Sequence, residues 1–166
     1  MRQGTGFSGA ASWDAGRAAA IISEHRKLDG AMLPILHALQ DSFGFVDKSC
    51  VSAIAEALNV SKAEVHGVIT FYHDFREAPA GRHLLKLCRA ESCQSMGCEA
   101  LVDHLAHTHQ LAPGETSKDG ALTIETVYCL GNCALSPAAL LDGELIGRLD
   151  ADALDAIVLD ATGMRS

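Results

Sequence analysis

Cysteine placement restricts this 166-residue chain more than any other feature. Five of the six cysteines lie after residue 80, and four of those form two spaced pairs: Cys88 with Cys93 as C-x4-C, and Cys129 with Cys133 as C-x3-C. Each pair follows directly on a stretch that reads as a strand, HLLKLC at 83–88 and ALTIETVYC at 121–129. Loops that leave one end of a sheet can converge. Four thiolates offered as two pairs suit a [2Fe-2S] cluster, in which each iron is tetrahedral and takes two protein sulfurs. A structural zinc site with four cysteine ligands uses the same residues, although zinc knuckles more often carry shorter intervals. The longer intervals leave room for backbone N–H groups to face sulfur, and Gly131 suits such a turn because it accepts positive φ. A thioredoxin-type dithiol requires C-x-x-C and a Rieske centre requires histidines in place of one cysteine pair; neither pattern occurs. A third reading is a redox sensor that forms disulfides among the loop cysteines.

Compartment and charge narrow the partners. The first 25 residues contain no apolar run that could serve as a secretory core, and no stretch approaches a membrane span, so a cytoplasmic location is expected. In a reducing compartment an even cysteine count points to metal ligation or redox chemistry before a disulfide framework. Thirteen basic against 21 acidic residues give a net charge of −8, which repels a phosphate backbone or an anionic bilayer. Nucleic acid is thereby disfavoured as a partner.

Hydrophobic periodicity changes near residue 80. Before it, Ala15, Ala18, Ala19 and Ile22 follow a helical rhythm with Ser12 as the expected cap, and Met32, Ile35, Leu36, Leu39 and Phe43 repeat it up to Gly44. Val46, Cys50, Ile54, Ala57 and Leu58 mark a third helix ending at Asn59, and Ser61 with Glu64 opens a fourth as a capping box over Val65, Val68, Ile69 and Tyr72. After residue 80 come a strand, a cysteine loop, a helix with Cys98, Leu101, Val102 and Leu105 on one face, and a second strand. A second cysteine loop then leads to a hairpin turning at Asp142–Gly143 and a helix over Ala151–Leu159. The expected class is α+β: a helical bundle over 1–80 and an α/β domain with a mixed sheet over 81–166, joined through a linker at 78–81 around Pro79.

Several other signals have ordinary readings. Gly4, Gly6 and Gly9 match G-x-G-x-x-G but follow no strand, so they read as a chain terminus rather than a dinucleotide site. His104, His107 and His109 read as solvated groups at a helix end, with only Asp103 as an acidic neighbour at helical spacing. The helix-turn-helix look of Leu58–Tyr72 carries too little basic charge for DNA and reads as packing with an exposed remainder for docking. Asp142, Glu144, Asp150 and Asp152 would give the second half an acidic face toward a basic partner, or a solvated one. Cys50 and Cys98 sit on apolar helix faces and read as core thiols, with Cys98 also spaced to replace Cys93 as a ligand.

CRAESC at 88–93, PGET at 113–116 in a helical setting, and CLGNC at 129–133 followed by Pro137 resemble the thioredoxin-like [2Fe-2S] ferredoxin family. FGFV at 43–46 and VITFYHDF at 68–75 are similar to the helical N-terminal part of the 24 kDa type of NADH dehydrogenase subunit, so the resemblance runs from about residue 14 onward. Within the family, CRAESCQ at 88–94 and LSPAALLDGELIGRLD at 135–150 are most similar to gamma subunits of molybdenum-containing, NAD-dependent formate dehydrogenases. Equivalent subunits of respiratory complex I and bidirectional hydrogenases usually read differently around the second cysteine. The resemblance implies a thioredoxin-like domain whose [2Fe-2S] cluster is held by Cys88, Cys93, Cys129 and Cys133. It also implies an electron-transfer subunit without bond chemistry of its own. Its partner would be a flavin- and NAD-binding iron-sulfur subunit and, through that, a molybdenum-containing catalytic subunit.

Overall fold

The computed structural model describes residues 12–163. The chain divides into two compact units that meet in sequence at Pro79 and Ala80. The glycine triplet Gly4, Gly6 and Gly9 lies outside the described residues.

The first unit holds four helices, α1 (Ala15–His25), α2 (Met32–Phe43), α3 (Cys50–Leu58) and α4 (Lys62–Phe71). Their apolar faces meet in a core built on Ile22, Ile35, Leu36, Leu39, Phe43, Ile54 and Val65, with Trp13 tilted against Phe43 at 4.7 Å. The helix ends are chemically marked. Asp14, not Ser12, caps α1: its carboxylate accepts from the Arg17 N–H at 2.6 Å, because Ser12 lies too far upstream of the first turn to reach it. Gly44 (φ 81°) ends α2, and Asn59 (φ 54°) ends α3. The Ser61–Glu64 capping box forms in full, a motif of about 1 kcal/mol. Val46 falls outside α3 but is buried, so its apolar signal marks core without helix.

The second unit is a four-stranded mixed sheet with helices: β1 (His83–Cys88), β2 (Leu122–Val127), β3 (Ala138–Leu141) and β4 (Glu144–Gly147) in the order β2-β1-β3-β4. β1 and β2 are parallel, with Cys88 beside Val127, while β3 runs antiparallel to both β1 and β4. The β3–β4 hairpin turns at Asp142 and Gly143, both at positive φ (50° and 93°), as the paired-residue turn requires. Between β1 and β2 lie α5 (Glu91–Ser95) and α6 (Cys98–His104), then a wide π-type turn over Leu105–His109; α7 (Ala151–Thr162) closes the chain. Leu85, Leu105, Leu122, Ile124, Leu154 and Val158 form this unit's core.

The α+β class, with helices first and a thioredoxin-like mixed-sheet domain after, is the one expected. Two further local expectations fail. PGET is not helical: Gly114 (φ 90°) turns the chain so that its N–H donates to Ile124 O, and Ile124 N–H donates back to Glu115 O along β2. The last helix runs three residues past Leu159, to Thr162, whose hydroxyl donates to Val158 O before Gly163 (φ 71°) stops it.

Candidate metal centre

Parallel pairing of β1 and β2 sends both strands out at the same end of the sheet, and β3 begins at that end with Ala139 opposite Leu87. The whole segment from Tyr128 to Pro137 is therefore confined beside the end of β1. Cys88 is the last residue of β1 and Cys93 sits in α5, so the first pair is built into regular elements and is buried. The sequence pattern predicts a loop at Cys93 instead. The short helix arises because Glu91 through Ser95 has no breaker and the Gln94 N–H finds Ala90 O. Cys129 and Cys133 are exposed. Their loop enters the left-handed region twice, at Gly131 (φ 76°), as expected, and at Cys129 (φ 84°), where a non-glycine residue is strained.

That backbone path aims donors at sulfur. The Gly131 N–H lies 3.4 Å from Cys129 Sγ, and Cys129 and Cys133 Sγ are 3.8 Å apart. This spacing is close to the edge of a tetrahedron around a metal with thiolate bonds of about 2.3 Å. Burial pushes the Cys88 thiol up, but the N–H of Ala90, the Cys93 thiol and the N–H groups of Leu130 and Cys129 together hold it below the ordinary cysteine range. Cys133 is pushed up, first by Cys129 and further by Cys93 and Cys88. The four thiols thus sense one another, and ionising all of them calls for a cationic centre, so the donor set fits an iron-sulfur group.

Serines stitch the two loops together. Ser92 of α5 donates to Cys133 O at 3.2 Å and lies 2.9 Å from Ser136 Oγ, which itself sits 3.5 Å from Cys93 Sγ. On the other side, β4 approaches so closely that a Cβ on Gly147 would lie 2.7 Å from Leu135 Cβ and 2.8 Å from Asn132 Nδ2. Arg148 N–H donates to Leu135 O at 2.6 Å, and the Ser136–Pro137 peptide is cis. Behind the first pair, Arg89 makes a two-pronged contact with Glu99 at 2.9 and 2.6 Å, tying the start of the loop to α6.

The sequence matches the thioredoxin-like [2Fe-2S] ferredoxins over residues 18–162. The chain belongs to that family. As a thioredoxin-like [2Fe-2S] ferredoxin it carries a [2Fe-2S] cluster, and zinc loses its claim as the resident metal. It is 38% identical over 128 residues to a subunit of NADH-quinone oxidoreductase from Rhizobium meliloti, spanning 77% of this chain and 76% of that one. It is 32% identical over 114 residues to NADH-quinone oxidoreductase subunit 2 of Thermus thermophilus, across 69% of this chain and 63% of that one. Among solved structures, an NAD+-reducing [NiFe]-hydrogenase in the H2-reduced state superposes with a TM-score of 0.63 at 26% identity, covering 79% of this chain. This chain spans only 22% of that hydrogenase chain.

The remaining candidates of the sequence fall out differently. Cys98 is buried against Cys88, Cys93 and Ala138, its thiol pushed up by burial and by Glu99. Cys50 lies in the core of the helical unit, where burial pushes its thiol up to about 12. Of the supposed acidic face, Asp142 is held by His83 Nδ1 at 2.7 Å and by the Leu84 N–H, and Asp150 caps α7, so both serve the fold. The solvated reading holds for His107 but not for His104 or His109: both lie against Asp155 of α7, a partner that helical spacing could not reveal. Phe71 and Tyr72, at the end of α4, are exposed. Among the described residues no helix is long and apolar enough to cross a membrane.

Proposed function

We propose that the chain is the electron-transfer subunit of an NAD-dependent oxidoreductase complex, with its [2Fe-2S] cluster held by Cys88 and Cys93 on one side and Cys129 and Cys133 on the other. The placement of both cysteine pairs at one end of the sheet, where Ser92 and Ser136 bridge Cys93 and Cys133, carries this reading. The cluster supplies reversible one-electron exchange. The chain's own part is to hold and tune: two thiols come from the packed end of β1 and from α5, two from the exposed loop, and the N–H groups of Ala90, Cys129, Leu130 and Gly131 face sulfur and favour extra negative charge there. The exposed second pair suits exchange with a partner, which we take to be a flavin- and NAD-binding iron-sulfur subunit. We take the complex to be cytoplasmic.

The finer reading is the gamma subunit of a soluble, molybdenum-containing formate dehydrogenase, supported by the resemblance of CRAESCQ and LSPAALLDGELIGRLD. The names of its relatives favour a second reading, the equivalent subunit of an NADH-quinone oxidoreductase or an NAD+-reducing hydrogenase. Anaerobic isolation of the tagged chain with its native partners separates them. Molybdenum and formate-dependent NAD+ reduction in the isolated complex are expected; nickel with hydrogen-dependent reduction, or quinone-linked NADH oxidation, would replace the finer assignment. About two iron and two sulfide per chain, with an EPR signal appearing only on reduction, are expected of the isolated subunit. Replacing Cys129 by Ser should abolish the cluster or grossly alter its absorption and EPR spectra, and unchanged spectra would overturn the ligand set.

A further inference from the structure

Outside the cysteine centre, the described residues hold one other close group of metal-ligating side chains: His104, His109 and Asp155, whose ligand atoms all lie within 4.8 Å of one another. His104 Nε2 is 2.7 Å and His109 Nε2 is 2.6 Å from the same oxygen, Oδ1 of Asp155. All three are half-buried, and the histidines lie 46 to 51 residues before the aspartate in the chain.

Helix geometry explains how the two imidazoles meet. In an α-helix five residues advance about 500°, which would leave His104 and His109 roughly 140° apart around the axis. Here Leu105–His109 forms a π-type turn, with the Gln110 N–H donating to Leu105 O, and that wider turn brings position 109 back to the side of position 104. Such turns are rare and recur at functional positions. His107 is not part of the group: it is exposed, and its Nδ1 contacts Asp103 O at 2.7 Å. Behind His104, Thr108 Oγ1 lies 3.4 Å from Nδ1 and offers the outer partner that a ligating imidazole uses to fix its tautomer.

We propose that His104, His109 and Asp155 form a site for one divalent transition-metal ion of the zinc type, distinct from the cluster, that clips α7 to the end of α6. Two imidazoles and a carboxylate are a donor set that zinc takes up at about 2.0–2.2 Å, with water completing a tetrahedron. The donor–donor edges of that tetrahedron are about 3.3 Å, so the two rings withdraw from Asp155 by roughly 0.6 Å when the ion enters. The proton on each Nε2 moves to Nδ1, which for His104 faces the Thr108 hydroxyl. His109 also lines a surface pocket of about 620 Å³ with Leu111, Lys118, Val158 and Thr162, so one ligand is reachable from solvent.

The test uses the anaerobically purified cluster-loaded protein, stripped of loose metal with EDTA and titrated with zinc chloride by calorimetry while the cluster absorption is followed. One zinc per chain is expected, with a thermal midpoint that rises with zinc; at free zinc 100 times the dissociation constant, the folded state gains about a hundredfold in population ratio. Zinc K-edge absorption should show nitrogen and oxygen at about 2.0–2.1 Å with imidazole scattering and no sulfur. His109→Ala and Asp155→Asn should each weaken zinc binding by roughly 10- to 100-fold and leave the cluster spectrum unchanged, whereas His107→Ala should bind as the parent does. Absence of binding at about 0.1 mM zinc, sulfur at about 2.3 Å in the zinc shell, or full affinity in the His109→Ala/Asp155→Asn double variant each overturns the site. Should a variant fail to fold, the absorption spectrum of the unmodified protein decides alone.

Discussion

Cys88 and Cys93 are carried by the end of a central strand and a short helix, and their sulfurs are buried with Cys98 and Ala138. Cys129 and Cys133 are carried by an exposed loop that has no core of its own and is held by serine hydroxyls, the Arg148 N–H and the close passage of Gly147. Hydrophobic packing therefore positions one half of the centre, and hydrogen bonds with backbone strain position the other. The first half should survive the loss of metal largely as it stands, while the second depends more on the metal to stay in place.

Replacing one cysteine of each pair by alanine separates these dependences. Cys88→Ala and Cys129→Ala should both lose the cluster, with iron falling from about two per chain toward zero. They should differ in the metal-free protein. Removing Cys88 Sγ leaves a small cavity in a buried place beside Cys93, Cys98 and Ala138, at roughly 1–2 kcal/mol. Removing the exposed Cys129 Sγ leaves the Gly131 N–H to water, at about 0.5 kcal/mol or less. Urea denaturation of the two metal-free variants reads the difference, and equal midpoints would mean that the two halves are held alike.

Alkylation of the metal-free protein grades the same contrast by residue. Cys129 should react first with iodoacetamide, Cys133 behind it because Cys129 pushes its thiol up, and both should be protected when the cluster is restored, as mapped by mass spectrometry. Cys50 should react last. With its thiol pushed up to about 12, it stays protonated through the neutral range, and at pH 8 only about one molecule in ten thousand carries the thiolate. Rapid labelling of Cys50 at pH 8 under native conditions would show that the helical core opens more easily than its packing implies.

This division also separates what the sequence revealed from what it hid. The buried half was legible because periodic apolar residues report directly on core: HLLKLC became β1, and Cys98 with Leu101 and Leu105 became an inward face. The hairpin at Asp142–Gly143 and the Ser61–Glu64 box were legible because their chemistry is local. The cap of α1 lies two residues beyond the expected Ser12, since Ser12 and Asp14 are both competent and only geometry chooses. Nothing in the local pattern could place Asp155 against His104 and His109. That contact joins segments far apart in sequence, and it relies on a π-type turn whose spacing mimics neither a helix nor a strand. The position of Gly147 against the second cysteine loop was hidden for the same reason, since close approach is a tertiary fact.

Two glycines give the finest version of the comparison, since the same substitution should act with opposite sign in the two units. At Gly67, on the exposed face of α4, an added Cβ meets nothing within 4 Å, and Gly67→Ala should stabilise the helical unit by about 0.5–1 kcal/mol through helix propensity. At Gly147 the added methyl would press on Leu135 and Asn132, and relief requires the second cysteine loop to move outward from β4. Gly147→Ala should therefore cost roughly 1–3 kcal/mol and release iron faster to a chelator, without removing any ligand. Cys88 and Cys93 should keep their low alkylation rates in that variant, while Cys129 and Cys133 become more reactive. If iron release is unchanged, the loop does not depend on its seat against β4, and its serine contacts with α5 are sufficient to hold it.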